Sequence, residues 1–375
     1  MKTPTMDASV QRLRPTTVEE VQEAVGRHPR IKPVGNGSKR ALARPGPGET
    51  VLELGGLAQI LEYEPAEYTF TALAGTPVAT IQAALAEHGQ YLPFDPPLAE
   101  QGATLGGTVA AGLSGSGRYR YGGVRDFLLG VRFVDGQGRL VRGGGKVVKN
   151  AAGFDFPKLM VGSLGRLGVL VEVSFKVFPR PPAYATLVVP RPSLEDALET
   201  LARVATAPLD VEALDLVPGE QPQQQATLHL RLGGLPEVMA ARADRLREFV
   251  GGGELYQGEE DAALWRQVAG FQWAPADHTV VKIPVTPTTI PALEERLASV
   301  NAPRRYAVGG HLAWLAWPGP LTQLDRWLAE LGLGGLAILG SAEPVELGVR
   351  RGLPFLRRIQ EALDPEKRFS TTERT

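Results

Sequence analysis

Of the chain's 44 glycines, 18 fall within the 67 residues from Gly102 to Gly168. Glycine loses more backbone freedom on folding than any other residue, so such density marks tight turns or a main chain that must come very close to something. Two readings follow. One is a loop-rich sheet with many hairpins; the other is a backbone packed against a flat ligand.

The rest of the composition narrows the function. At 375 residues the chain has room for two or three domains and a large core. Lys and Arg total 40 against 41 Asp and Glu. That balance argues against a nucleic-acid binder, which needs a surplus of cations. There is no cysteine, which excludes disulfides, thiolate catalysis, Cys-held zinc and iron–sulfur clusters ligated by this chain. The five histidines form no HExxH pair, and no metal site is expected. The longest nearly apolar run, Leu331 to Gly340, is far shorter than the roughly 20 residues of a spanning helix. The N-terminus carries no signal-peptide pattern. The expectation is a cytoplasmic chain without a transmembrane segment, at most peripheral to the inner membrane through partners.

Local patterns predict the elements. Thr17 to Glu20 reads as a capping box opening a helix that ends near His28. Strands are expected at Ile31 to Val34, Val51 to Leu54 and Tyr68 to Ala74. Thr76 with Pro77 is expected to cap a helix ended by Gly89. Leu128 to Asp135 and Arg139 to Arg142 flank a Gly-Gln-Gly hairpin, and Gly168 to Phe178 alternates like a long strand. Pro179-Arg180-Pro181-Pro182 then marks a boundary. Beyond it the order approximates β-α-β-β-α twice, which predicts an antiparallel sheet with helices on one face. Arg350 to Leu363 reads as a last helix stopped by Asp364-Pro365. Trp314, Trp317 and Trp327 are either an exposed partner site or core.

The glycine segments decide the ligand question. Lys32-Pro33-Val34-Gly35-Asn36-Gly37-Ser38-Lys39-Arg40 lacks the third glycine of the Rossmann fingerprint. Pro45 and Pro47 leave no room for its helix. No P-loop pattern occurs. A turn can still hold a diphosphate through successive backbone N–H groups. Gly35 and Gly37 permit such a turn, Ser38 adds a hydroxyl, and Lys39 or Arg40 adds charge. Later come Thr104-Leu105-Gly106-Gly107-Thr108-Val109-Ala110-Ala111-Gly112, then Ser114-Gly115-Ser116-Gly117-Arg118, and Gly165-Arg166-Leu167-Gly168-Val169-Leu170-Val171-Glu172.

Together these segments, over residues 5 to 180, resemble the FAD-binding domain of the vanillyl-alcohol oxidase and p-cresol methylhydroxylase type. Tyr119-Arg120-Tyr121-Gly122-Gly123-Val124-Arg125-Asp126 and Val148-Lys149-Asn150-Ala151-Ala152-Gly153-Phe154-Asp155 are similar more narrowly to the FAD-binding subunits of bacterial glycolate oxidases. The resemblance implies an α+β fold. Its parts are a two-part FAD-binding domain over 1–180, a smaller α+β domain over 181–343, and a C-terminal helical segment over 344–375 that packs back on the first.

The same resemblance implies residue roles. Pro33, Val34, Gly35, Asn36, Gly37, Ser38 and Lys39 would cradle the pyrophosphate. Pro93 and Asp95 form an elbow on the cofactor's path. Thr104, Leu105, Gly106, Gly107, Ala111, Gly112 and Gly115 would run beside the pyrophosphate and flavin, with Gly168, Val169 and Val171 near the rings. Asn36 stands where a tethering histidine can sit, so non-covalent FAD is implied. The implied partners are a related FAD subunit and an iron–sulfur subunit, acting together on a small 2-hydroxy acid. A self-sufficient FAD enzyme for a 2-hydroxy acid or alcohol, and a non-catalytic flavin-bound scaffold, stay open. Catalytic candidates are few. Arg118 is a cation for a substrate carboxylate or a pyrophosphate or surface contact. His311 is a base or a core or edge residue. No His-rich metal motif surrounds His311. Lys149 and Asp155 read as a structural ion pair.

Overall fold

The computed structural model describes residues 10–145, 154–300, 302–340 and 343–369. The first helix, Val18–Arg27, begins as its sequence dictates. Thr17 caps it, accepting from the Glu20 N–H at 3.2 Å. The Glu20 carboxylate reaches one residue further back than a standard box, to the Thr16 N–H at 2.7 Å. This helix buries Val21, Ala24 and Val25 beside a small parallel sheet of Arg12–Leu13, Thr50–Glu53 and Ile31–Val34, in that spatial order.

A five-stranded antiparallel sheet follows, ordered Ile60–Glu64, Thr69–Leu73, Val169–Lys176, Leu128–Val134 and Leu140–Gly144. Its two faces serve different cores. One packs with the parallel sheet and first helix through Val134, Val169 and Val171. The other receives Val78–Ala86 and the short Leu105–Ala111 helix. Strict alternation would place Val169, Val171, Val173 and Phe175 on one face. A register shift between Arg132 and Phe133 gives the 169–176 strand an extra residue at Val171, so Val173 and Phe175 enter the opposite core. Thr76 does not cap the 78–86 helix, whose N-cap is Pro77. The Thr76 hydroxyl instead bonds both backbone groups of Gln59.

The second half builds a nine-stranded, fully antiparallel sheet. Its spatial order is Glu254–Gln257, Ala183–Arg191, Ala226–Gly234, Ala213–Val217, Arg304–Ala307, Leu312–Trp317, Thr279–Pro284, Gly334–Ala337 and Glu346–Gly348. Helices Leu194–Thr206, Pro236–Val250, Ile290–Leu297 and Leu321–Glu330 share one apolar core with one face of it. The other face gives Val280, Leu312 and Trp314 to the core of the first half. A fifth helix, Glu259–Ala269, was not legible in the sequence. It lies on that opposite face, where Asp261 and Trp265 both bond the Thr186 hydroxyl.

The three tryptophans are buried and do not form one patch. Trp317 and Trp327 meet edge to face at 5.6 Å on the helix side, whereas Trp314 packs on Phe271 at 4.8 Å on the other. A buried carboxylate ties helix 290–297 to the sheet. Glu294 receives hydrogen bonds from both Arg304 and Tyr306, and Glu294 and Tyr306 are 0% exposed.

The last helix, Leu353–Leu363, rests Leu356, Ile359 and Leu363 on the first half's core. After it, the Asp364 carboxylate accepts from the N–H groups of Arg368 and Phe369. Phe369 is thereby set beside Ile31, whose N–H donates to the Arg368 carbonyl at 2.7 Å.

Candidate functional site

Strand 31–34 ends at Val34, and the chain turns at once through Gly35, Asn36 and Gly37. No helix follows. The N–H groups of Asn36, Gly37 and Ser38 have no hydrogen-bond partner among the described residues. Gly37 adopts φ +72°, and a Cβ there would meet open space, so its freedom serves the turn. At Gly35 the reason is contact: a Cβ would lie 2.3 Å from the Thr104 hydroxyl. That hydroxyl caps helix 105–111 by accepting from the Gly107 N–H at 3.2 Å. A Cβ on Gly106 would lie 2.7 Å from that of Ala74. The helix's first amides are already used. Leu105 N–H donates to the Thr76 carbonyl and Gly106 N–H to the Ala74 carbonyl. The free donors therefore belong to the loop.

These parts line one cavity. Pro33, Val34, Gly35, Asn36, Gly37, Ser38 and Lys39 all face it, as do Thr104, Gly106, Gly107, Ala111 and Gly168. Lys39 is 7% exposed. Its only polar side-chain partner among the described residues is the Ser38 hydroxyl at 3.4 Å. Burial without a counter-charge pushes its ammonium down to about 8. A buried cation beside unpaired amides is a site prepared for an anion. Substituting Gly35→Ala is expected to break the Thr104 cap, shift the loop and weaken binding of the anion it is prepared for roughly tenfold, given about 1 kcal/mol for a lost cap alone. A fluorescence titration with unchanged affinity would show that loop position does not matter.

Ala111 and Leu164 also line a second, larger cavity that continues from the first. Gly112, Ser114, Arg118 and Lys282 face it. Lys282 comes from strand 279–284, third from one edge of the nine-stranded sheet, and donates to the Gly112 carbonyl at 2.8 Å. Burial, with Arg118 adding repulsion, pushes its ammonium down to about 8. This lysine carries no local motif, and its partner lies 170 positions away.

Several expected residues lie elsewhere. Leu105 is buried in the helix core. The side chains of Val169 and Val171 enter the core behind the sheet, and Leu170 lines the cavity instead. Gly112 forms the left-handed end of helix 105–111 at φ +58°. Gly115 packs against Asp95, where a Cβ would lie 2.3 Å from its carbonyl. Pro93 and Asp95 thus brace the 115–117 turn and face a different cavity.

Arg118 faces the second cavity. His311 does not. It is exposed, and its Nδ1 bonds the Val308 carbonyl of its own turn. Asp155 pairs with Lys158 at 3.1 Å and caps helix Phe156–Met160; Lys149 and the segment 148–153 lie outside the described residues. Among the described residues no three His, Asp or Glu side chains cluster to hold a metal. No helix is long and apolar enough to cross a membrane.

Residues 11–144 match the family described as FAD binding domain, and the chain belongs to the FAD-dependent oxidoreductases of the p-cresol methylhydroxylase type. It is similar to glycolate oxidase subunit GlcE of Escherichia coli (strain K12), with 41% identity over 253 residues, 67% of each chain. D-2-hydroxyglutarate dehydrogenase of Xanthomonas citri pv. viticola is 29% identical over 77% of this chain and 66% of its own. Glycolate oxidase subunit GlcD of Bacillus subtilis is 32% identical over 46% and 37%. The chain thus spans about two thirds of the first two relatives and less of the third. Among solved structures, an alkyldihydroxyacetonephosphate synthase has the same fold at a TM-score of 0.71 and 16% identity, over 95% of this chain and 74% of that one. The cofactor of this chain is FAD.

Proposed function

We propose that the chain is the FAD-binding subunit of a glycolate or related 2-hydroxy acid oxidase complex, holding FAD non-covalently and passing its electrons to a partner subunit. The observation that carries the FAD site is Lys39, a buried ammonium without a counter-charge next to three unpaired amides. These groups fit a diphosphate, which supplies both the missing charge and the acceptors. Pro33 to Lys39, with Thr104, Gly106 and Gly107, form the cradle; Ala111 and Gly112 lead toward the flavin side. Lys282 and Arg118 place two cations on that side. FAD, when bound, supplies the capacity to accept two electrons from an oxidisable carbon.

The subunit reading rests on what lines the flavin-side cavity. Oxidising a 2-hydroxy acid needs a cation for the carboxylate and a base for the hydroxyl proton. Arg118 and Lys282 provide cations; no histidine faces the cavity, and its two carboxylates are already engaged, Asp126 by the Gly123 N–H and Glu346 by Arg166. The chain's own residues supply charge and shape, and a related subunit would supply the base. An iron–sulfur partner must carry its clusters on its own cysteines, because this chain has none. Non-covalent attachment is supported by the same inventory: the chain has no cysteine, and no histidine or tyrosine lines either cavity.

The test uses the isolated chain with FAD confirmed bound, mixed anaerobically with glycolate and with D-lactate. The expected result is an unbleached flavin until the partner subunits are added. Rapid bleaching by the isolated chain would establish a self-sufficient enzyme instead. Acid precipitation should leave a colourless pellet and a yellow supernatant.

A further inference from the structure

A third cavity, of about 630 Å³, lies between the 41–49 loop and residues 343–350 and 367–369. It adjoins the flavin-side cavity, with which it shares Leu164, Arg166, Glu346 and Arg350. The two clefts therefore form one connected face. Nothing in the proposed FAD chemistry uses the third cavity.

The charge on this face is lopsided. Its two clefts are lined by twelve of the chain's 40 lysines and arginines, but by four of its 41 aspartates and glutamates. The whole chain carries −1, so positive charge is gathered here rather than spread. Lys282 and Arg118 serve the flavin side. Lys158, Arg166 and Arg368 are paired with Asp155, Glu346 and Glu366. Arg30, Lys32, Arg125, Arg351 and Lys367 form no ion pair among the described residues. Four of these five are exposed and Lys32 is half-buried; burial pushes its ammonium below the ordinary value. The acids of the face are mostly committed. Glu49 accepts from the Gly46 N–H at 2.6 Å, Asp126 accepts from the Gly123 N–H at 2.8 Å, and Glu346 holds Arg166. Like charges gathered without partners repel, and counter-charge from outside relieves that repulsion.

Shape and composition choose among the sources of counter-charge. The cations line clefts, which protruding acidic side chains can enter and a flat bilayer cannot. Phe369 is the one aromatic residue lining either cleft, and it is buried. No ring is therefore offered for stacking nucleic-acid bases. Beside the cations, helix Leu353–Leu363 exposes Phe355, and Val349 just before it is exposed as well. Aromatic and aliphatic side chains set among arginines are the mixture that protein–protein interfaces favour.

We propose that this basic face is where the electron-accepting partner subunit docks, and that the partner meets it with an acidic surface. The inference rests on the subunit reading given above. A partner seated here lies beside the cavity that holds the flavin, because Leu164 and Arg166 belong to both clefts. Charge complementarity of this kind acts mainly on encounter, so the effect is expected in the association rate.

The experiment measures binding of the FAD-loaded chain to the purified related FAD subunit and to the purified iron–sulfur subunit by surface plasmon resonance. The association rate with at least one of them is expected to fall roughly tenfold or more between about 50 and about 500 mM NaCl. The combined variant Arg30→Glu, Arg351→Glu and Lys367→Glu should slow association roughly tenfold at the lower salt. Arg245→Glu, the same reversal at an exposed position of helix 236–250, should change it by less than about twofold. FAD absorbance and melting temperature show whether the combined variant is folded. If it does not hold FAD, Lys367→Glu alone takes its place, with an expected slowing of about twofold to threefold. Partner binding whose rate is indifferent to salt and to these substitutions would overturn the docking face and leave the subunit reading standing. No binding of either partner by the wild type would overturn both. Tighter binding of single-stranded DNA, or of phosphatidylglycerol vesicles, than of either partner at about 150 mM NaCl would assign the face to another polyanion and overturn the proposal too.

Discussion

Lys39→Met is expected to lower FAD affinity by roughly two orders of magnitude, about 3 kcal/mol, because it removes one member of a buried, charge-assisted pair. The same substitution should stabilise the FAD-free chain, since the ammonium is buried there without a counter-charge. Opposite movements of affinity and stability separate a binding role from a structural one. The pH dependence gives a second check. In the FAD-free fold Lys39 titrates near 8 against an ordinary value of 10.5. Between those values the unfolded chain holds a proton that the folded chain has released. Stability of the FAD-free protein therefore rises with pH across that window, and Lys282, pushed down to about 8, acts in the same direction. A bound diphosphate draws the proton back onto Lys39, so FAD affinity should fall as pH rises above about 8. Fluorescence titrations at pH 7 and pH 9.5 measure this directly. Wild-type affinity that does not change with pH, or a methionine variant that binds FAD as tightly as wild type, would remove Lys39 from the site.

The second large effect concerns folding. Glu294→Ala should destabilise the second half by about 3–5 kcal/mol, the usual cost of leaving one side of a buried ion pair without its partner. Arg304 would lose its carboxylate, and Tyr306 would lose its acceptor at a fully buried position. Arg304 also donates to the carbonyls of Ala302 and Gly219, so the remaining cation cannot leave without breaking further bonds. The urea midpoint of the FAD-loaded chain is the measurement. A shift under 1 kcal/mol, the level of an exposed pair, would mean that water reaches the guanidinium and the network is not dry. Glu294→Gln keeps both acceptor geometries partly in place and should fall between the two.

The helix-free turn after strand 31–34 was legible because its logic is local. Gly35 and Gly37 set the backbone, and the prolines at 45 and 47 exclude a following helix within the same dozen residues. The capping box at Thr17, the Gly136–Gly138 hairpin and the stop at Asp364 were read for the same reason. What failed to show was decided at a distance. Val169 and Val171 look equivalent to Val173 and Phe175 in an alternating strand, and only the extra residue against Arg132 and Phe133 divides them between two cores. The smallness of residues 104–112 reads as a backbone against a flat ligand or as close helix–sheet packing; the structure shows the second, a helix that packs Gly106 on Ala74 and whose first amides are engaged by the 74–76 turn. Lys282 sits in an ordinary strand sequence. Its meaning comes from Gly112, which no local spacing connects to it.

The nine-stranded sheet turns one side toward its own helices and the other toward the flavin half, with Trp314, Leu312 and Val280 crossing that junction. Neither half is therefore a detachable cassette. Cutting at the 179–182 prolines would uncover a large oily plate on one fragment and remove Lys282 from the other. Gene fusions, truncations or chimeras made at that attractive linker should yield sticky fragments rather than two working pieces, and any exchange with a relative has to carry both sides of the seam together.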